Sequence, residues 1–477
     1  MMASQIKSID YQKYQPLKKQ IFFKRFILSV CAILLLFINV YAHFTIIGYY
    51  PYWESAAYPP SEIKYEYVTH INHAFAWPDA EGHLVVPSGL VNAQLLELAH
   101  NNNVKVLIAL GGWSDSDGFS PMAADSLKRA RFIDELVDFI RTNGYDGADF
   151  DWEFPQSEKD RANLTKLIKE VRLRFDAENP EWLLTMAVSV GDYYGQWFDF
   201  DLLKEQVDWF NAMCYDFHGS WSAHSGHNAP LYQPPGDVCG SVDTGMRYLN
   251  VIRRIPKKRL TVGIPFYGKQ FNSGGLYQSF SGEVSDLFYY QIAPLLDNSD
   301  WEYFWDEAAK VPYLQNSAKT KLITFDDTLS VGLKSRWIKE NAFAGAMIWA
   351  LGQDEYNHKQ LLLQTIARQL LDSISTVIKK AEIIPQNHII YKNYPNPFNP
   401  VTTISFYLPF SARVNITVYD TRARRIRQLL HRQKVAGKYD VTFNAAGLAS
   451  GIYFYILAVY PQNAAARFYS GKMLLIE

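Results

Sequence analysis

The sequence predicts an α/β fold: a (β/α)8 TIM barrel with an α+β insertion between strands 7 and 8, followed by a C-terminal all-β sandwich. Three observations support this prediction. Short apolar runs alternate with amphipathic segments eight times between Phe44 and Trp349. The last two runs lie more than seventy residues apart, which is about twice what one helix and its loops require. Beyond residue 400, apolar and polar positions alternate as they do in half-buried strands.

The eight apolar runs are interpreted as barrel strands, because strands covered on both faces are continuously apolar. They are Phe44–Tyr50, Ile71–Trp77, Val104–Leu110, Gly147–Phe154, Leu183–Val190, Trp209–Tyr215, Leu260–Tyr267 and Ala344–Trp349. Helical periodicity lies between them, for example in Ala124–Thr142, Ser157–Ala177, Val242–Arg253 and Leu329–Glu340. A doubly wound open sheet is the alternative fold, but no G-x-G-x-x-G sequence follows the first run.

The first 42 residues have the pattern of an export signal. Basic residues precede an apolar run over residues 26–40, and Val40-Tyr41-Ala42 offers small residues for cleavage. The apolar run is short for a membrane span, so no stable span is expected after cleavage. An uncleaved anchor is the alternative.

The composition excludes some classes of partner. Lys and Arg number 47 against 48 Asp and Glu, and this net charge of −1 disfavours a nucleic-acid partner, which requires a basic surface. The aromatic content of 15% suits core packing and stacking on sugar rings.

Beyond the leader the cysteines are Cys214 and Cys239, so one disulfide at most is available and their pairing stays open. The chain is expected to be a monomer without a cofactor.

The chain divides into a barrel over residues 43–380, a linker over 381–390 and a sandwich over 391–477. The insertion, at about 269–325, is expected to form one wall of a cleft, and the last barrel helix is predicted over Asn357–Lys380. The predicted sandwich strands are Thr402–Leu408, Arg413–Tyr419, Lys438–Phe443, Gly451–Val459 and Arg467–Leu475. The basic run Arg422–Lys434 has few aromatic residues, which favours an exposed hairpin over a polyanion site.

The most informative stretch is 145–155, which places four acidic residues within eight positions. Period-2 alternation puts Asp149, Asp151 and Glu153 on one face of a strand and gives Asp146 the opposite parity, so Asp146 is assigned a structural role. Neighbouring carboxylates repel one another, and burying them favours the protonated form of at least one. This arrangement suits acid/base chemistry better than a calcium site, whose ligands come from irregular loops.

At the end of the fourth strand, Asp146, Asp149, Asp151 and Glu153 form a pattern that resembles the D-x-x-D-x-D-x-E signature of family-18 glycoside hydrolases, the chitinases. The resemblance extends over about residues 44–380. Other matching segments are Leu110–Trp113, Met213–Asp216 with Gly219–Trp221 and Gly226–Asn228, Gly263–Gly268, and Gly345–Trp349. The sequence departs from the family pattern at Ala109, Cys214 and Lys269, where Ser, Thr and Arg are usual; Ala109 could alter the proton affinity of Asp149 or Asp151.

The resemblance implies a retaining mechanism in which the 2-acetamido group of the sugar is the nucleophile. It implies that Glu153 is the acid, that Asp151 orients the acetamido group and that Asp149 shares a proton with Asp151. The remaining residues are assigned to substrate contact: Tyr215 donates to the acetamido oxygen, and Asp216, Trp349, Trp113, Tyr267, Trp221 and Gly112 line the cleft. The implied substrate is chitin or a chito-oligosaccharide; glycoprotein or cell-wall glycans are a second possibility, and a chitin-binding lectin without activity is a third.

Two further features complete the sequence-based interpretation. His218, His224 and His227 follow the sixth strand without the regular spacing of a metal site, so no metal is predicted there.

Residues 391–477, which contain Tyr394-Pro395-Asn396-Pro397-Phe398-Asn399-Pro400 near their start, resemble the C-terminal sorting domains of type IX secretion substrates. That resemblance implies contact with the secretion machinery and a secreted or surface-attached bacterial protein. A carbohydrate-binding sandwich is the alternative.

Overall fold

The computed structural model describes residues 44–371, 391–408, 412–422, 424–434, 437–461 and 466–476. Eight parallel strands close into a barrel, because the first strand pairs with both the second and the eighth. They are Thr45–Pro51, His70–Pro78, Lys105–Gly111, Gly147–Asp151, Leu183–Val188, Trp209–Ala212, Leu260–Pro265 and Gly345–Trp349. The predicted barrel is confirmed, while the predicted signal peptide (1–42) and linker (381–390) lie outside the described residues.

Helices cover the outside of the barrel. They are Ala93–Asn101, Phe119–Ala124, Ser126–Asn143, Glu158–Glu178, Asp192–Gly195, Phe200–Leu203, Val242–Arg247, Thr328–Asn341 and Leu361–Leu370. The longest two begin at side-chain caps, since Asp125 and Ser157 each accept a hydrogen bond from a backbone N–H of the first turn. Their apolar faces pack on the strands, which fixes the barrel that carries the site.

Two predicted helices have the wrong extent. The helix predicted over Val242–Arg253 ends at Arg247 and continues as a single π turn, Tyr248–Ile252. The last helix does not begin at Asn357, because residues 355–360 form a two-stranded hairpin in which Asn357 and His358 adopt positive φ angles. That helix is Leu361–Leu370, and the part predicted beyond residue 371 lies outside the described residues.

Four barrel strands, the fourth to the seventh, end earlier than their apolar runs, and two of these ends decide where residues of the site lie. The fourth strand ends at Asp151, where its last pairing is with Gly111 of the third strand. The sixth strand ends at Ala212. Glu153 and Tyr215 therefore lie in the loops at the C-terminal end of the barrel, two and three residues past their strands.

The insertion is an antiparallel five-stranded sheet with the short helix Tyr289–Ile292, as its α+β character predicted. Its strands are Tyr267–Ser273, Phe280–Phe288, Trp301–Asp306, Val311–Asn316 and Leu322–Thr324. Tyr267–Ser273 follows the seventh barrel strand after one residue, Phe266, so the insertion sheet starts at the C-terminal end of the barrel.

The C-terminal part consists of two antiparallel sheets, which confirms the predicted all-β fold. One contains Tyr391–Tyr394, Val401–Leu408 and Gly437–Asn444, and the other contains Ala412–Asp420, Arg425–Lys434, Gly451–Pro461 and Arg467–Leu475. A separate apolar core, which includes Ile404, Ile416, Phe443 and Leu457, is buried between them. The basic run is a mostly exposed hairpin strand paired with Ala412–Asp420, as predicted. Within the described ranges, the helices are all too short or too polar to cross a bilayer.

Candidate active site

Asp149 is the innermost of the three acids and is fully buried. Its carboxylate accepts hydrogen bonds from the Tyr49 hydroxyl, from Thr185 Oγ1 at 2.5 Å and from Asn211 Nδ2 at 2.9 Å. Burial raises the pKa of Asp149, and the hydrogen bonds from Thr185, Tyr49 and Asn211 oppose that rise. Each donor comes from a different barrel strand, so the surrounding barrel fixes the orientation of this acid.

Asp151 lies one layer higher and is 4% exposed. Its Oδ1 is buried without a hydrogen-bond partner among the described residues. Burial first, then the charges of Glu153 and Asp149, hold the pKa of Asp151 well above its ordinary value. Because its pKa is raised, this carboxyl can take up a proton. Because Oδ1 has no hydrogen-bond partner among the described residues, it can accept a hydrogen bond from a ligand N–H.

Glu153 is partly exposed at the mouth of the barrel, where a substrate can reach it. Its backbone N–H donates to Ser116 Oγ at 2.9 Å, and Ser116 in turn donates to the carbonyl of Gly112 at 2.9 Å. Burial raises the pKa of Glu153 to about 7, with the negative charge of Asp216 as the second cause. The sixth-strand loop thus contributes a negative charge that acts on Glu153, in addition to the mutual repulsion of Glu153 and Asp151 at the end of the fourth strand.

The backbone conformation at residue 112 requires glycine. Its φ of +85° is a conformation that disfavours side chains, and a Cβ there would lie 2.6 Å from the Phe75 ring. Its N–H donates to the carbonyl of Asp151 at 2.8 Å. This glycine joins the third-strand loop to the acidic strand.

Tyr215 and Asp216 face the acids from the end of the sixth strand. Burial, followed by the charges of Asp151 and Glu153, raises the pKa of Tyr215 well above its ordinary value, so its hydroxyl stays protonated as a donor. That hydroxyl lies 3.8 Å from the sulfur of Met347 on the eighth strand. Asp216 adopts a positive φ of 59°, and its N–H donates to Asn228 Oδ1 at 3.1 Å.

The Asp216 carboxylate is held by two side chains of the insertion. Its Oδ1 accepts a hydrogen bond from the Tyr267 hydroxyl at 2.8 Å and pairs with Lys269 Nζ at 2.8 Å. Lys269 also pairs with Asp286 at 2.8 Å, and these two carboxylates raise the pKa of the lysine against the effect of its burial. Lys269, one of the departures from the family pattern, thus supplies the positive charge beside Asp216.

Aromatic side chains form the floor and the rim of the site. Trp349 is half-buried at the end of the eighth strand, stacked on Phe75 at 5.8 Å and tilted on Tyr49 at 5.4 Å. Trp113 and Trp221 are 73% and 63% exposed. Tyr267 is different, because its ring is buried and its hydroxyl donates to the Asp216 carboxylate.

Asp146 lies away from this group, at the opposite end of the strand. Its carboxylate accepts a hydrogen bond from the N–H of Val106 at 2.8 Å and contacts His100 Nε2 at 2.9 Å. These contacts are those of a structural residue.

Cys214 and Cys239 are both free thiols. The histidines after the sixth strand lie outside the acidic centre, and two of them approach Asp237.

Several residues of this centre were not predicted. Tyr49, Thr185 and Asn211 surround Asp149, and Ser116 and Phe75 support the loops next to Glu153 and Trp349. Tyr49, Thr185 and Asn211 lie within predicted strands. The alternation of side chains along each strand was the signal that could have assigned them to the inside of the barrel. Ser116 lies in a loop, and the sequence contains no comparable signal for it.

The closed parallel barrel carries its buried acids at the C-terminal end of the fourth strand, which is where the active sites of TIM-barrel enzymes lie. Residues 45–354 match the model of glycosyl hydrolases family 18, and the chain belongs to this family. Residues 392–467 match the secretion system C-terminal sorting domain. The protein is therefore an exported one, secreted or held at the cell surface.

Among individual relatives, Chitinase A1 from Niallia circulans is 31% identical over 395 residues, covering 65% of this chain and 56% of that protein. The chain thus spans about half the length of this curated relative. The structure resembles the Group IV chitinase of Ostrinia furnacalis with a TM-score of 0.64 and 28% identity, covering 68% of this chain and 99% of the other. It also resembles human YKL-39, a pseudo-chitinase with retained chitooligosaccharide binding, at 25% identity and a TM-score of 0.64, over 69% of this chain and 99% of that one.

Proposed function

We propose that this protein is an exported chitinase that hydrolyses β-1,4 bonds between N-acetylglucosamine units with retention of configuration. The observation that carries the proposal is Glu153, a partly exposed carboxyl at the mouth of the barrel whose pKa of about 7 keeps a proton available near neutral pH. The two aspartates below it and the aromatic floor supply the rest of the site.

In the proposed reaction, Glu153 protonates the glycosidic oxygen while the bond from that oxygen to the anomeric carbon breaks. The carbonyl oxygen of the 2-acetamido group attacks the same carbon from the opposite face and forms an oxazolinium ion. Glu153, now ionised, removes a proton from water, which attacks the anomeric carbon and reopens the ring with overall retention. No side chain of the protein forms a covalent bond to the sugar.

The two aspartates would stabilise the positive charge that develops on the acetamido group. Asp151 would accept the N–H of this group on its unpartnered Oδ1. Asp149, held by three donors, would share a proton with Asp151 so that the pair carries one negative charge instead of two. Tyr215 would donate its hydroxyl to the acetamido oxygen, and Trp349 would lie under the distorted ring.

The competing function is sugar binding without hydrolysis, as described for YKL-39. Glu153 favours the enzyme, because hydrolysis requires an acid at this position whereas sugar binding alone does not. Other glycans that contain N-acetylglucosamine would use the same chemistry, so the product pattern has to identify the polymer.

The test is replacement of Glu153 with Gln, with Glu158→Gln as the matched control, since Glu158 is an exposed residue of the first turn of the next helix. We expect the first variant to lose hydrolysis of chitin hexamer by orders of magnitude and to keep binding the hexamer, while the control cleaves at the parental rate. The fresh product of the parent should be the β-anomer by NMR. Parental turnover by Glu153→Gln, or an initial α-anomer, would refute the proposal.

A further inference from the structure

A second polar cluster lies in the loops that follow the sixth barrel strand, outside the acidic centre. His218, His224 and Asp237 each place one potential ligand atom within 4.8 Å of the others. His218 and Asp237 are 0% and 5% exposed, while His224 is partly exposed. The sequence did not reveal this cluster, because Asp237 is brought to the two histidines from a separate stretch of the loop.

The hydrogen bonds of the two histidines fix which nitrogen carries the proton. His218 Nδ1 contacts the carbonyl oxygen of His227 at 3.0 Å, and His224 Nδ1 contacts the carbonyl oxygen of Ser225 at 3.0 Å. A carbonyl oxygen only accepts, so both Nδ1 atoms are donors and both Nε2 atoms of the neutral rings carry a lone pair. Metal-binding histidines are held in this way, with the second nitrogen donating to a carbonyl or carboxylate.

The buried atoms in the centre of the cluster lack partners. His218 Nε2 and Asp237 Oδ2 are both buried without a hydrogen bond to any described residue. His218 Nε2 lies 3.4 Å from Asp237 Oδ1, so the lone pair of the ring nitrogen faces a carboxylate oxygen. Two ligands of a tetrahedral zinc ion, at bond lengths of about 2.1 Å, are separated by about 3.4 Å. A cation between these atoms would satisfy them both.

We propose that His218, His224 and Asp237 bind one divalent transition-metal ion of the Zn²⁺ class. Two imidazole nitrogens and one carboxylate favour such an ion over Ca²⁺ or Mg²⁺, which prefer oxygen ligands alone. The ion would reach the site from the side of His224, the partly exposed ligand. The Asp237 carboxylate also interacts with the thiol of Cys239, which leaves either this thiol or water as the fourth ligand.

The position of the cluster gives the ion a structural effect. His218 and His224 lie three residues on either side of Trp221, the exposed aromatic residue next to Lys269. A bound ion would hold this loop by both ends and fix Trp221 at the rim of the cleft. The inference concerns binding and loop stability, so it stands or falls separately from the hydrolytic activity.

The test uses the untagged full-length protein titrated with ZnCl₂ by calorimetry, with metal content measured after dialysis. We expect one ion per chain and a higher unfolding temperature with zinc. His224→Ala should weaken binding at least tenfold and abolish the thermal effect, whereas the control His358→Ala, at a fully exposed histidine, should change neither. Co²⁺ bound in place of zinc identifies the fourth ligand. A thiolate charge-transfer band in the parent that is lost in Cys239→Ser would show that the ligand is the cysteine. A parent spectrum without this band would show that the ligand is water. No binding by the parent protein at millimolar zinc, or equal affinity in His224→Ala, would overturn the proposal.

Discussion

The charge of Asp216 is predicted to set part of the proton affinity of Glu153. Replacing Asp216 with Asn removes that charge and keeps the shape of the side chain. If Glu153 acts as the acid, kcat/KM persists below its pKa and is lost as the pH rises through it. The basic limb of the pH profile, expected near pH 7 for the parent, should therefore move to lower pH in Asp216→Asn.

The size of this movement follows from the causes of the raised pKa. The pKa of Glu153 rises from 4.5 to about 7, which is about 2.5 pH units, and burial is the larger of its two causes. Removing the charge of Asp216 should therefore leave most of the rise in place, and the basic limb should move toward lower pH by about one pH unit or less. The maximal rate should fall as well, because Asp216 is also proposed to contact the sugar.

The assay is the pH dependence of kcat/KM on a chromogenic chitobioside, which reports the ionisations of the free enzyme. Asp286→Asn is the matched control, because Asp286 pairs with the same Lys269 at the same 2.8 Å but is not a cause of the raised pKa of Glu153. An unmoved basic limb in Asp216→Asn would refute the reasoning. An equal movement in both variants would assign the effect to Lys269 instead.

Three further predictions concern the rim, the core and export. Trp113→Ala should weaken binding of chitin hexamer roughly tenfold by calorimetry, about 1.4 kcal/mol, because this exposed ring offers a stacking surface; unchanged affinity would place it outside the cleft. Asp326→Ala should lower the free energy of unfolding in urea by about 3–5 kcal/mol, since it leaves the buried Lys334 without the carboxylate 2.6 Å from its Nζ; a loss below about 1 kcal/mol would contradict this. Deletion of residues 391–477 should retain the protein inside the cell in a fractionation assay while the purified barrel stays active, and normal export would contradict the sorting role.

The sequence was sufficient for the barrel and for the acids on its fourth strand. Buried parallel strands are continuously apolar, so each run marks its strand, and the alternation of Asp149 and Asp151 follows directly from the strand period. The ends of strands were less predictable, because the apolar runs through Phe154 and Tyr215 continue past the last pairing residues. An apolar residue in a loop that seals the barrel has the same signature as one within a strand.

Contacts between distant segments were beyond sequence reasoning. One of the charges that act on Glu153 comes from Asp216 in a different loop. The backbone N–H of Glu153 is held by Ser116 in a third loop. Neither relation leaves a local pattern in the sequence. Tyr267 is a further example, because its position at a strand end does not reveal that its ring is buried and that its hydroxyl donates to Asp216. Which aromatic side chains face solvent depends on how the insertion packs.

Infrared difference spectroscopy between the parent and Glu153→Gln can detect the proton that Glu153 is proposed to carry near neutral pH. We expect the parent to show a protonated carboxyl band at about pH 6, and we expect this band to be absent from the variant. In the parent the band should disappear as the pH is raised, with a midpoint near 7. If the carboxyl of Glu153 is already ionised at about pH 6, with a midpoint near the ordinary glutamate value of 4.5, Glu153 is not the proposed acid.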